Sequence, residues 1–350
     1  MNIRNLAIAA LLAALPFSAA AQVKAGATAP DVATYTAPDR MQKLIEGAKK
    51  EGELNLYTSA QTDDMGPLIA AFEKKYGIKV NVWRSSSEKV LQRAIQEARG
   101  NKNTMDVAET NGPELESMHR EKLLCAVKSP HHADLIAPAI RPHGEWVGTR
   151  LNVFVQAYNT NAVKKEELPK TWEGFLDPKW KGKLGIEQED SDWLAGQYAE
   201  LGDAKASKLF RDIVNTNGVS VRKGHTLLTQ LVASGEIPVA FTVYNYKAQQ
   251  LKEKGAPIDW FHIGPAIARP NGVAVAKKAP HPHAAVLFYD FEISEEGQKI
   301  LASRDFVPTN KKVDTPLNKV PMKFVDARVV LDEYEKWTKT YEDIFIKKGK

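Results

Sequence analysis

Strands and helices alternate in the first third of the sequence, and this alternation limits the fold more than any other feature. Glu53–Tyr57 and Ile78–Trp83 alternate polar and apolar residues as strands do, and Met105–Ala108 is a short third strand. Between them, Met65–Tyr76 has apolar residues at helical spacing, and a second helix follows the capping box Ser85–Glu88. This strand–helix–strand–helix–strand series predicts a parallel sheet with helices on its faces.

Polar loops follow the three strands and are the first candidates for a binding site. Ligands of such sheets bind at the carboxyl ends of strands, close to helix N-termini. The loops begin at Thr58, Ser85 and Glu109 and are rich in Ser, Thr, Asn and acidic residues. The candidate ligand residues in these loops include Ser59, Ser85, Ser86 and Glu109.

A second α/β series begins after about residue 150. Leu151–Tyr158, Gly185–Glu187 and Ile237–Val243 are predicted strands, with helices between and after them. The tail is predicted to end in one long helix over Phe324–Phe345. The chain is therefore predicted to contain two α/β units in succession.

The N-terminus has the pattern of a secretory signal. Met1–Arg4 carries one positive charge, the apolar run Leu6–Pro16 follows, and small residues lead up to Ala21. This pattern predicts a signal peptide over residues 1–21, cut after Ala21, because the apolar run is too short to cross a membrane. Residues 22–50 are predicted as a lead-in followed by the first helix. We therefore expect a periplasmic protein with no membrane insertion.

Charge and cysteine content exclude several classes of function. The 48 basic and 43 acidic side chains give a net charge of +5, and the basic residues are dispersed, which argues against nucleic-acid binding. The one cysteine, Cys125, lies in an apolar stretch and cannot form an internal disulfide. There is no nucleophile elbow, no zinc-protease motif and no glycine-rich phosphate loop, so we predict a protein that is not an enzyme and needs no cofactor.

Several segments, in their order and spacing, resemble periplasmic solute-binding proteins of ABC importers. The similar group is solute-binding family 1, which includes ferric-iron, thiamine, spermidine and phosphonate binders. The resemblance covers about residues 50–310. The segments that carry it are Leu54–Ser59, Ala70–Val80, Met105–Val107, Tyr158–Thr160, Asp177–Lys183, Gly235–Ala240 and Ser294–Gln298.

The resemblance implies the type II periplasmic binding fold. That α/β fold has two lobes, each a mostly parallel sheet flanked by helices, joined by two crossing strands around a ligand cleft. Here residues 51–148 plus 272–310 would form lobe one and 153–260 lobe two. The crossings would fall at 149–152 and 261–271, and 311–350 would be a helical tail.

The resemblance also bears on the ligand. Ferric-binding members hold iron with adjacent tyrosines, often with a His in the first loop and a carboxylate in the third. Here Tyr244 and Tyr246 are two residues apart, and Gln61 and Asn111 stand where the His and the carboxylate would be. An alternative ferric site would consist of Tyr244, Tyr246 and Glu109. The tyrosines could equally contact an organic ligand or pack between the lobes.

A mixed set of charges favours an organic ligand. The acidic stretch Glu187–Trp193 precedes a helix, so Glu187 or Asp190 could meet a cationic group beside Trp193, or the acids could serve only the helix dipole. Arg150, at the first crossing, could bind an anion or lock the hinge by a salt bridge. Together these residues predict an amino-acid-like or phosphonate-like ligand.

The predicted function is that of a monomeric substrate-binding component of an ABC importer, which passes a small polar or charged organic solute to a permease and its ATPase. Two alternatives remain open at this point. One is a ferric-iron-binding protein of an iron importer. The other is a periplasmic ligand sensor that feeds a membrane kinase.

Overall fold

The computed structural model describes residues 26–347, so the predicted signal peptide lies outside the described residues. Strands form where the sequence is rich in β-branched and apolar residues. They are β1 Glu53–Thr58, β2 Lys79–Arg84, β3 Val107–Asn111, β4 Leu124–Cys125, β5 Trp146–Asn159, β6 Leu184–Glu187, β7 Ser220–Arg222, β8 Val239–Tyr244, β9 Ile258–Phe261, β10 Ala266–Ala276, β11 Val307–Pro308 and β12 Met322–Phe324.

The helices flank these strands, and several end at a glycine with positive φ, such as Gly52 and Gly77. None of the helices between residues 26 and 347 is long and apolar enough to cross a membrane. They are α1 Ala29–Ala33, α2 Arg40–Glu51, α3 Thr62–Tyr76, α4 Ser87–Arg99, α5 Gly112–Arg120, α6 Ser191–Leu201, α7 Asp203–Asn217, α8 His225–Ser234, α9 Asn245–Glu253, α10 Pro282–Ile293, α11 Glu295–Ala302, α12 Ala327–Asp332 and α13 Tyr334–Tyr341.

The main sheet has the strand order β2-β1-β3-β10-β5-β8-β6-β7. β1 runs parallel to β2 and β3, and β6 runs parallel to β7 and β8. The long strands β5 and β10 are antiparallel to each other and lie between these two parallel halves. This arrangement confirms the predicted α/β fold with two mostly parallel sheets joined by two crossing strands.

We call the half that contains β1–β3 lobe one and the half that contains β6–β9 lobe two. All 14 residues of β5 are buried, and the strand passes through the predicted crossing 149–152. β10 covers the second part of the predicted crossing 261–271. Because both strands continue from one lobe into the other, their midpoints lie at the junction between the lobes.

Each lobe has its own aromatic packing. In lobe one the ring of Phe72 contacts Phe288 and Phe291 of α10 at centroid distances of 5.1 and 5.6 Å. In lobe two Trp172 contacts Phe210 and other rings of a buried cluster. Helices that bury such faces hold the strand ends in place, which fixes the loops at the cleft.

The tail differs from the single helix predicted over Phe324–Phe345. β12 pairs with β10, and a break at Glu333 then separates α12 from α13. α12 packs on α5 of lobe one and α13 packs on α6 of lobe two. A straight helix could not follow both surfaces, so tertiary packing overrides the helical pattern of the sequence.

Candidate ligand-binding cleft

A cavity of about 290 Å³ lies between the two lobes, at the carboxyl ends of β1, β3, β6 and β8. Lobe one contributes polar loop residues, lobe two contributes acids, a histidine and two tyrosines, and the crossing strands contribute Arg and Asn side chains. The lining residues are Ser59, Ala60, Gln61, Arg84, Ser86, Ser87, Glu88, Asn111, Glu114, Arg150, Asn152, Glu187, Glu189, Asp190, Lys223, Gly224, His225, Thr226, Tyr244, Tyr246, Arg269 and Asn271.

Nine of the twelve predicted ligand residues line this cavity. They come from six separate parts of the chain, which the fold brings to one place. That any of them contacts a ligand remains a prediction. The nine are Ser59, Gln61, Ser86, Asn111, Arg150, Glu187, Asp190, Tyr244 and Tyr246.

The structure does not bring Ser85, Glu109 or Trp193 to the cavity. The backbone N–H of Ser85 donates to the carbonyl of Thr58, 3.1 Å away, which ties the loop to β1. Glu109 is fully buried behind the lining, where it accepts hydrogen bonds from Arg150 and Thr58. Its carboxylate therefore neutralises Arg150 instead of facing the cleft.

Trp193 points the other way because of its position on α6. Its side chain is 0% exposed and its ring contacts Trp172 and Phe210 at 5.5 and 5.4 Å. Asp190, three residues earlier, is the N-cap residue of α6 and faces the cleft. Asp190 therefore lies at the cleft, whereas Trp193 packs in the core of lobe two.

Three residues of lobe two form a cluster that could hold a metal ion. Glu187 ends β6, Asp190 precedes α6 and His225 begins α8, and one ligand atom from each lies within 4.8 Å of the other two. The His225 Nε2 atom is 3.1 Å from Asp190 Oδ1. The Glu187 carboxylate accepts hydrogen bonds from the backbone N–H groups of Gly224 and Glu189 at 2.8 and 2.5 Å.

Within residues 26–347, two polar atoms of the cluster are buried and have no hydrogen-bond partner: Asp190 Oδ2 and His225 Nδ1. Buried polar atoms are ordinarily paired, so these two are available to a ligand. Burial and the charge of Asp190 raise the pKa of Glu187. Burial opposes a charge on His225, but the carboxylates of Asp190 and Glu187 outweigh it, so the pKa of His225 is raised. Glu187 and His225 therefore keep their protons to a higher pH than they would in water, and a cation that binds there has to displace any proton they hold.

The two tyrosines lie beside this cluster. Tyr244 ends the buried strand β8, and its ring stacks on His225 at 3.7 Å and on Tyr246 at 5.8 Å. Burial raises the pKa of both phenols. The guanidinium of Arg269 donates to the Tyr244 hydroxyl and also pairs with Asp192. A phenolate at Tyr244 would thus form next to a cation.

Comparison with known families identifies the class of protein. Residues 67–324 match the family described as bacterial extracellular solute-binding protein, which is most of the chain. The chain belongs to this family. The prediction of a substrate-binding component of an ABC importer is thereby confirmed.

Curated relatives of this solute-binding protein include iron proteins. It is 28% identical over 288 residues to iron uptake protein A1 of Synechocystis sp., covering 75% of this chain and 79% of the relative. It is 24% identical over 296 residues to the Fe(3+)-binding periplasmic protein of Serratia marcescens, covering 81% and 86%.

Solved structures confirm the two-lobed fold. Iron-bound HitA from Pseudomonas aeruginosa superposes with a TM-score of 0.72 at 24% identity, covering 83% of this chain and 99% of that one. AfuA from Actinobacillus pleuropneumoniae, with fructose-6-phosphate bound, gives 0.74 at 23% identity, covering 84% and 99%. At this identity the likeness concerns the fold.

Sequence reasoning missed several charged residues of the solute-binding cleft, notably Arg84, Glu114, Lys223, His225 and Arg269. Burial raises the pKa of Glu114 to about 7, which is a departure typical of functional sites. Arg269 lies inside the predicted crossing 261–271, so its position offered a clue. His225 offered none, because its neighbours in the site are distant in sequence.

Proposed function

We propose that the protein binds ferric iron in the cleft and delivers it to the permease and ATPase of an ABC importer. The observation that carries the proposal is the cluster of Glu187, Asp190 and His225, whose ligand atoms lie within 4.8 Å of one another. Two carboxylates, an imidazole and the adjacent phenol of Tyr244 form a donor set suited to a hard, highly charged cation. The names of the curated relatives support the same cargo.

The proposed ligand set replaces the one expected from the family pattern. The carboxylate of Glu109 is paired with Arg150, and Gln61 and Asn111 carry neutral amides. Lobe one therefore supplies no free carboxylate at these three positions. Lobe two supplies the anionic ligands instead. Burial raises the pKa of the Tyr244 phenol, so the phenol is protonated in the absence of a bound cation. Iron binding should therefore release a proton from it. Arg269 would then stabilise the phenolate.

The test is a titration of chelator-treated protein with ferric nitrilotriacetate, followed by desalting. Iron bound to phenolate gives a visible charge-transfer band, so we expect a coloured protein with one iron per chain. Asp190→Asn and His225→Gln should bind iron more weakly, and Tyr244→Phe should remove or shift the band. Tyr334→Phe, at an exposed tyrosine of α13, is the matched control. A colourless wild-type protein without bound iron would contradict the proposal.

A second candidate is a small phosphorylated or otherwise anionic organic solute. The observation that favours it is that the cavity of about 290 Å³ exceeds the volume of one ion and is lined by Arg84, Lys223 and Arg269. Guanidinium groups bind phosphate and carboxylate in a bidentate manner. Thermal shift of the same chelator-treated protein with sugar phosphates, amino acids and phosphonates tests it. Stabilisation by one of these without iron would make this the leading function.

Export and partners belong to the same proposal. The signal pattern over residues 1–21 and the family membership support a periplasmic location. We propose a monomer that contacts the importer when its lobes close on the ligand. The sensor alternative predicts a membrane kinase as partner, and co-purification with a permease rather than a kinase would separate the two.

A further inference from the structure

Apart from the ligand residues, a buried polar cluster joins the two lobes at one side of the cleft. We call it the interlobe latch and define it as Asp64 of α3 with Lys247 and Gln250 of α9. We propose that this latch holds the lobes closed and positions Tyr246, so that it sets the rate at which the ligand leaves. In this view Asp64 and Lys247 are positioning residues and do not contact the ligand.

The contacts of the latch cross from one lobe to the other. The Lys247 Nζ donates to Asp64 Oδ2 at 2.5 Å, and Gln250 Nε2 donates to Asp64 Oδ1 at 3.1 Å. Gln250 Nε2 also donates to the carbonyl of Arg304, which follows α11 in lobe one, at 2.9 Å. The side chains of Asp64 and Lys247 are only 1% and 13% exposed, so this ion pair is shielded from water.

The latch lies next to ligand residues on both sides of the cleft. Asp64 is in the first turn of α3, three residues after the cleft residue Gln61, which is the N-cap of that helix. Lys247 directly follows Tyr246 near the start of α9. The Tyr246 ring packs on Phe306 at 4.4 Å, so the same end of α9 makes an apolar contact beside the polar one. Separation of the lobes would break these contacts together and would move Tyr246.

The surroundings of these two charges differ between the open and the closed lobes. When the lobes are apart, water solvates Lys247, and Asp64 keeps Arg304 Nη2, 3.8 Å away in its own lobe. When the lobes close, each buried charge needs its partner, because a buried charge that has lost its partner is strongly destabilising. Removal of one partner should therefore penalise the closed state more than the open one.

The first experiment uses ligand-free protein, so that its outcome is independent of the cargo. Fluorophores at Lys89→Cys in lobe one and Ser234→Cys in lobe two, both exposed positions, report the lobe separation by energy transfer. Cys125 is buried and does not compete for the label. The variants are Asp64→Asn, Lys247→Met and the double variant. The controls are Asp63→Asn, an exposed acid of the same helix, and Lys252→Met, which removes an exposed ion pair within lobe two.

We expect each single latch variant to lower the closed-to-open ratio by about tenfold, the equivalent of about 1.4 kcal/mol. The double variant should lose less than the sum of the single losses, because the partners are coupled. Both controls should keep the wild-type ratio. Unchanged energy transfer in both single variants, or strictly additive losses, would overturn the proposal.

The second experiment concerns ligand release and rests on the proposed iron function. Protein loaded with ferric nitrilotriacetate is mixed with excess chelator, and the loss of the visible band is followed. Asp64→Asn and Lys247→Met should release iron about tenfold faster, with a smaller change in the loading rate. A slower loading rate with unchanged release would contradict the latch. If the wild type binds no iron, the first experiment still decides the proposal.

Discussion

Arg269 connects the crossing strand β10 to lobe two, and its replacement by Met should be costly. Its guanidinium pairs with Asp192 and donates to the Tyr244 hydroxyl, and the Arg269 and Asp192 side chains are 12% and 4% exposed. Removing one partner of a buried ion pair costs about 3–5 kcal/mol because the other charge is left without compensation. Asp192 also accepts the backbone N–H of Trp193 at 2.9 Å, at the start of α6. The N-terminus of α6 stabilises the charge of Asp192 in part. We therefore expect Arg269→Met to lower the free energy of unfolding by about 3 kcal/mol, the lower end of this range.

The assay is urea unfolding of the ligand-free protein, followed by tryptophan fluorescence and circular dichroism. The Arg269→Met variant should lower the unfolding midpoint with little change in the slope. Asp192→Asn combined with Arg269→Met should recover part of the loss, because no charge is then left buried. Lys299→Met, which removes the exposed pair with Glu295, should cost at most about 0.5 kcal/mol. A loss below about 1 kcal/mol, or a double variant less stable than Arg269→Met, would refute this reasoning.

Three further predictions concern the site and the fold. The pKa of His225 is raised, so protonation of His225 should lower iron affinity by up to about a further tenfold per pH unit as the pH drops below that pKa. In competition titrations, His225→Gln should remove this added dependence and leave the one that arises from the Tyr244 proton. A Cβ at Gly272 would lie 2.3 Å from the carbonyl oxygen of Val147, so Gly272→Ala should destabilise the crossing strands by about 1–3 kcal/mol in urea unfolding, and an unchanged midpoint would contradict the packing. A Cβ at Gly66 would meet nothing within 4 Å beyond its chain neighbours, but Pro67 follows it inside α3 and disfavours helical backbone before it. Gly66→Ala should therefore gain less than the about 0.5–1 kcal/mol expected of this change within a helix, and a full gain in urea unfolding would show that Pro67 imposes no strain there.

Local patterns were sufficient for the parallel half of the sheet in lobe one. The alternation of Glu53–Tyr57 and the helical spacing of Met65–Tyr76 specify which side of each element is apolar, and the structure has β1 and α3 there. Loops at the carboxyl ends of such strands meet at one edge, so Ser59 and Asn111 could be assigned to the cleft. The resemblance to periplasmic binding proteins was based on several short segments that occur in the same order and spacing as in that family.

The rest depended on contacts between residues far apart in sequence. Nothing near His225 predicts that its ring stacks on Tyr244, because that contact requires α8 and β8 to pack in lobe two. Glu109 has the residue type of a ligand, yet its pairing with Arg150 across β3 and β5 takes it out of the cleft. The sequence by itself determined which elements form and which ends are polar. Only the tertiary structure decided which polar ends meet and which charges neutralise each other, because burial and pairing depend on packing between distant elements.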